Sequence, residues 1–313
     1  MQAIRAALAK APKLRFEPAS RAAYDEIIAQ APAPRTVSFE QGEVGGVSGW
    51  WGRPARLDDR GVILYLHGGG YVMGSAAAYR NFVGHLAERV RVAAFIADYA
   101  LAPERPFPAA MNEVRALYQG LLARGYERIA LCGDSAGAGL ALSFLAGGTV
   151  NPDRILGVVA MSPWLDLSLS GESMVSRESE DPLLSKATLE EAAASYLGTQ
   201  LGTQLGTQSR TDPRLALLDA DISGLPPVRI HVGSAEVLLD DAIRFAQKAE
   251  HAGLNCEVHV WEGMIHVFPS NFAMLQAAAA AVDDIGSFLV AMLGEGLLQV
   301  REEGRYTRAQ EPS

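Results

Sequence analysis

Apolar and polar positions follow two rhythms along the chain. The first 35 residues are helical and amphipathic in pattern and close on the Pro-rich APAP of 31–34. Short apolar runs then recur at 36–40, 47–51, 61–66, 92–97, 129–132, 156–161, 228–232 and 256–261. Rich in Val, Ile, Leu and aromatic residues and bounded by Gly, Pro and Asp, they predict eight strands. Between the later runs apolar residues return every three to four positions, which predicts helices over 76–90, 109–124, 136–147, 238–253 and 272–293. Continuous apolar strands separated by amphipathic helices imply a mostly parallel sheet covered on both faces. The opening strands have no helix between them and are expected to form antiparallel hairpins at one edge. The fold class is therefore α/β, an eight-stranded sheet flanked by helices.

One stretch breaks this alternation. From Pro163 to Pro213 there is no strand pattern, only polar sequence, a helix-like run at 186–197, and LGTQ three times in tandem at 197–208. A four-residue period matches no solenoid repeat. It reads as a local expansion of an exposed loop, where insertions cost little; the sharper alternative is a lengthened flap beside a substrate entrance.

Composition narrows the class. With 313 residues, 49% of them hydrophobic and 20% charged, the chain can bury a large core. A net charge of −9 argues against nucleic acid, which requires clustered Lys and Arg, and against an anionic membrane surface. Arg5, Lys10, Lys13 and Arg15 interrupt the N-terminal alanines, so no secretory signal is expected. The Ala-rich stretch 272–293 contains Gln276, Asp283 and Asp284 and reads as a core-facing helix rather than a membrane anchor. Cys132 and Cys256 lie in strand-like runs and read as small buried hydrophobes of a reducing compartment. A cytoplasmic protein is expected. No zinc motif, cysteine pair or phosphate-binding glycine pattern occurs, and neither metal nor cofactor is expected.

The chemistry concentrates in three places. Gly133-Asp134-Ser135-Ala136-Gly137 sits between a strand pattern and a helix pattern, the context in which G-x-S-x-G presents a nucleophilic serine on a sharp turn. Small residues at 133 and 137 let strand and helix approach closely; Asp134 reads as a turn residue shaping this elbow. His67-Gly68-Gly69-Gly70-Tyr71 follows the third strand, and glycines there can turn backbone N–H groups toward a substrate carbonyl. The amides of Gly68, Gly69 and Ala136 are the expected oxyanion donors. Of six histidines, His266 alone stands in a loop after the last strand, where a base for Ser135 belongs in the chain order Ser, acid, His. The turn after the seventh strand offers Glu236, with Asp240 the main rival and Asp241 beside it; Glu236 lies nearest the strand end and is the expected acid.

Taken together, HGGGY (67–71), DYALAPERPFPAA (98–110), GDSAG (133–137), SPWLDLS (162–168) and GMIHVF (263–268) resemble blocks of the hormone-sensitive-lipase-like, or GDXG, family of microbial carboxylesterases. Two positions depart from its usual pattern: glutamate at 236 where aspartate is commoner, and Ala100 where arginine is commoner. The resemblance implies an α/β-hydrolase fold with N-terminal helices (1–35) contributing to a cap, a catalytic core in two parts (36–162 and 213–295), a cap insertion (163–212) and a C-terminal tail (296–313). It further implies cofactor-free hydrolysis of short- to medium-chain esters by Ser135, His266 and Glu236, and homodimers paired through the last strand. The same machinery also serves lactone hydrolases and acyltransferases. A binding-only role is the remote alternative, since such members of the fold have lost part of the triad.

Overall fold

The computed structural model describes residues 1, 4, 5, 8, 15–146, 152–198, 212 and 214–294. The second and third LGTQ repeats and the tail 296–313 lie outside these residues, and so does the question of a flap. In chain order the elements are α1 (Arg21–Ile28), β1 (Val37–Val44), β2 (Val47–Pro54), β3 (Asp58–Leu66), α2 (Ala76–Val90), β4 (Val92–Ala97), α3 (Ala109–Ala123) and β5 (Arg128–Asp134). They continue with α4 (Ser135–Ala146), β6 (Ile155–Met161), α5 (Lys186–Leu197), β7 (Val228–Gly233), α6 (Leu239–His251), β8 (Cys256–Trp261) and α7 (Gln276–Leu293).

All eight expected strands are present in one sheet of order β1-β2-β4-β3-β5-β6-β7-β8. β1 and β2 form the antiparallel edge, and β2 also runs antiparallel to β4; every later pairing is parallel. The hairpin is longer than its apolar run implied, because ladder bonds carry β1 on through the polar EQGE to Val44. The last helix begins at Gln276 rather than 272, after a 3₁₀ turn at Phe268–Asn271.

Burial along β3 follows the two-residue period of a strand. Val62, Leu64 and Leu66 enter one core with Met111 and Leu117 of α3, Leu140 and Phe144 of α4 and Phe245 of α6. Ile63 and Tyr65 enter the other with Phe82 and Leu86 of α2 and Ile285 and Leu289 of α7. Length and composition alone would let α7 cross a membrane. Here Val282, Ile285 and Leu289 lie buried in the second core, while Asp283 pairs with Arg89 and Asp284 with Arg229. Cys132 is buried and Cys256 half-buried, and both are free thiols.

The order of strands decides where chemistry can happen. From β3 the chain steps to β4 on one side and then to β5 on the other, so the connections leave β3 and β5 in opposite directions. A crevice opens at the carboxyl ends of such a pair. Both glycine motifs begin there: Leu66 ends β3 and Asp134 ends β5.

Candidate active site

Ser135 is the first residue of α4 and sits in a left-handed conformation, φ 51°, with only 6% of its surface exposed. The turn can be this tight because Gly137 has no side chain. A Cβ there would lie 2.0 Å from the Leu66 carbonyl oxygen, so strand β3 and helix α4 could not meet.

The turn after β3 is held from several sides. The His67 ring is buried between Tyr99 and Tyr79, with centroids at 4.4 and 5.5 Å, and its Nδ1 lies 2.8 Å from the Gly68 carbonyl. Burial pushes His67 down to about 4, which keeps it neutral and structural. Gly69 and Gly70 follow with φ of 104° and 64°, and Tyr71 with φ 63°.

Asp134 does more than shape the elbow. Its Oδ1 accepts the Gly68 N–H at 2.9 Å and the Tyr65 hydroxyl at 2.8 Å, and its Oδ2 accepts the Tyr79 hydroxyl at 3.0 Å. Burial raises the Asp134 carboxyl to about 6 against the opposing pull of these donors. The Gly68 contact corrects one expectation. Its amide is spent on Asp134, so it is not free to receive a substrate oxyanion. Among the described residues no hydrogen bond engages the amides of Gly69 and Gly70. The Ala136 amide stands in the first turn of α4, where N–H groups lack an intrahelical partner.

His266 lies in the loop between β8 and α7, with Nδ1 2.6 Å from Oε2 of Glu236. Both side chains are almost wholly buried. Burial works against a charged imidazole, but the Glu236 hydrogen bond and charge, with Asp181 and Asp134 adding to them, outweigh it and raise His266 above its ordinary 6.5. The rival acids serve elsewhere. Asp240 accepts the Ser173 N–H at 2.8 Å, while Asp241 accepts the N–H groups of Leu165 and Asp166 at 2.7 and 2.9 Å.

Sequence reasoning missed two polar residues beside this pair. Ser162, one residue past β6, donates to Oε1 of Glu236 at 2.8 Å and accepts the Val267 N–H at 2.9 Å. Asp181 accepts the N–H of Val237, the residue after Glu236, at 3.0 Å. Ser162 opens the SPWLDLS block and so was visible, but nothing in the chain order ties it to residues 236 and 267. Asp181 lies in polar sequence with no signal at all.

A profile of the alpha/beta hydrolase fold matches residues 63–270. The chain belongs to the α/β-hydrolase family. Its similarity to curated esterases and to a solved esterase of the bacterial hormone-sensitive lipase family makes it a carboxylic ester hydrolase of that type. An acetyl-hydrolase from Streptomyces hygroscopicus is 39% identical over 263 residues, covering 81% of this chain and 83% of the relative. An esterase from Acinetobacter venetianus is 34% identical over 277 residues, 88% of this chain and 89% of its own. Among solved structures, an esterase from the bacterial hormone-sensitive lipase family superposes with a TM-score of 0.82 at 34% identity, over 93% of this chain and 96% of that one.

Proposed function

We propose that this hydrolase cleaves short- to medium-chain carboxylic esters with Ser135, His266 and Glu236 acting through an acyl-enzyme. The observation that carries the reading is the buried 2.6 Å pair of Glu236 and His266, on loops that leave the same carboxyl edge of the sheet as the Ser135 elbow. Glu236 holds Nδ1–H, which fixes the tautomer that leaves Nε2 free to act as a base. His266 takes the Ser135 proton as Oγ attacks the ester carbonyl, and then hands it to the departing alcohol. A water, activated by the same imidazole, releases the acid. With Gly68 engaged by Asp134, the oxyanion falls to the amides of Gly69 and Ala136, with Gly70 next along the turn.

A cap made by the N-terminal residues and the 163–198 segment would confine the acyl chain. Supporting this, Arg15 pairs with Glu191 at 2.9 Å, and the Tyr196 ring of α5 stacks on Tyr71 at 3.8 Å. Tyr71 and Tyr196 also line a narrow cleft together with Met111, Leu140 and Trp164, which ties α5 to the turn after β3.

The test is turnover of p-nitrophenyl esters of increasing acyl length by the wild type and Ser135→Ala. The wild type is expected to cleave acetate and butyrate and to slow on longer chains. The variant should stay folded and lose roughly 10⁶-fold in kcat, the scale seen when a serine nucleophile is removed. Undiminished turnover in the variant overturns the assignment.

A further inference from the structure

The acid of this site is a glutamate, with one more rotatable bond than an aspartate, and its carboxylate must still meet an imidazole at 2.6 Å. Something has to fix that rotation. Oε2 is used by His266, so the anchor must act on Oε1. Two donors do: the Gly233 N–H at 2.6 Å and the Ser162 hydroxyl at 2.8 Å.

The Ser162 hydroxyl has a defined polarity. The Val267 N–H can only donate, so the hydroxyl oxygen accepts it and the hydroxyl proton points to Glu236. The result is a directed chain, Val267 N–H to Ser162 O–H to Glu236 Oε1, in a site where such chains reinforce one another. Its two ends are the acid itself and the residue directly after the base. The backbone at Ser162 and at Val267 is held in a sparsely populated region, with φ of 47° and 49°. Ser162 is fully buried, and its N–H donates to the His231 carbonyl at 2.7 Å, which anchors the residue to β7.

We infer that Ser162 is a positioning residue of the hydrolytic site, whose single hydroxyl orients the Glu236 carboxylate and the His266 loop together. The inference rests on the triad reading above. A backbone tie, Ala235 N–H to Met264 carbonyl at 3.0 Å, still joins the two loops when the hydroxyl is removed, so its loss should disturb orientation rather than folding.

The experiment compares Ser162→Ala and Ser162→Gly with the wild type. Glycine accepts the left-handed backbone better than serine, and alanine less well; neither has a hydroxyl. Three quantities are read: kcat and KM on p-nitrophenyl acetate, normalised by thermal unfolding to folded protein, and the far-downfield proton NMR signal of His266 Nδ1–H. Both variants are expected to lose kcat by roughly ten- to a hundredfold, the scale of a displaced catalytic group, with KM little changed. The downfield signal should shift or broaden away in both. Recovery of kcat in the glycine variant alone would reduce Ser162 to a backbone role and overturn the inference. Full kcat with an unmoved signal in both variants would overturn it as well, as would a rise confined to KM. If the wild type shows no Ser135-dependent turnover, the esterase reading fails, and the NMR signal still decides whether Ser162 positions the pair.

Discussion

His266 is held between opposing forces, and the balance sets the pH at which the site works. Burial disfavours its imidazolium, while Glu236, Asp181 and Asp134 favour it and prevail. In the proposed mechanism only the neutral ring takes the Ser135 proton, so kcat/KM should rise with pH through a midpoint above 6.5. Asp181 contributes from outside the proposed triad. Replacing it with asparagine removes one of the three charges that favour the imidazolium, so the acid limb of the kcat/KM profile should move to lower pH. A pH profile of Asp181→Asn that coincides with that of the wild type would remove Asp181 from this account.

Two neighbouring carboxyls join α6 to the start of the 163–198 segment, and their surroundings shift their titration in opposite directions. Burial works against a charge on Asp166, yet the hydroxyls of Ser168 and Ser170 and the Arg244 guanidinium hold it down to about 2. Asp241 is fully buried; its Oδ2 accepts two N–H groups, while Oδ1 has no partner. Burial pushes it up to about 7. A carboxyl raised above its unfolded 3.8 contributes stability that is fully present at low pH and is lost as pH rises through about 7. Asparagine keeps one acceptor oxygen and has no charge to desolvate. Asp241→Asn should therefore unfold at a higher temperature than the wild type above pH 7, with the advantage vanishing near pH 4. Thermal unfolding across that range checks both ends.

Across the whole molecule, β3 is the member that everything else is built against. It pairs with β4 and β5, feeds both cores through alternate side chains, and delivers the glycine turn to the crevice. Leu64 is wholly buried at its centre. Leu64→Ala should cost about 2–5 kcal/mol, read as a lowered unfolding midpoint in denaturant. Because β3 ends at the active-site turn, kcat should fall with stability in this variant, whereas an equal loss engineered in the β1–β2 edge should spare it.

The eight strands and the helices between them were legible because burial on both faces of a parallel sheet leaves continuous apolar runs, and helix burial leaves a three-to-four residue period. Ser135 was legible for a local reason: a strand–turn–helix with glycines at 133 and 137 is a steric requirement written in five adjacent residues. His266 was legible by position in the chain. The choice of Glu236 over Asp240 and Asp241 was made on nearness to the strand end, but what separates the three is the partner each one meets, at residues 266, 173 and 165–166. The same limit explains the Gly68 amide and Ser162. Each depends on contacts between segments 66 to 105 positions apart, brought together at the carboxyl edge of the sheet. Periodicity and short motifs record the constraints a segment imposes on itself. Which hydrogen-bond donor faces which acceptor across the crevice is decided only when the sheet has assembled and burial has left each polar group one partner within reach.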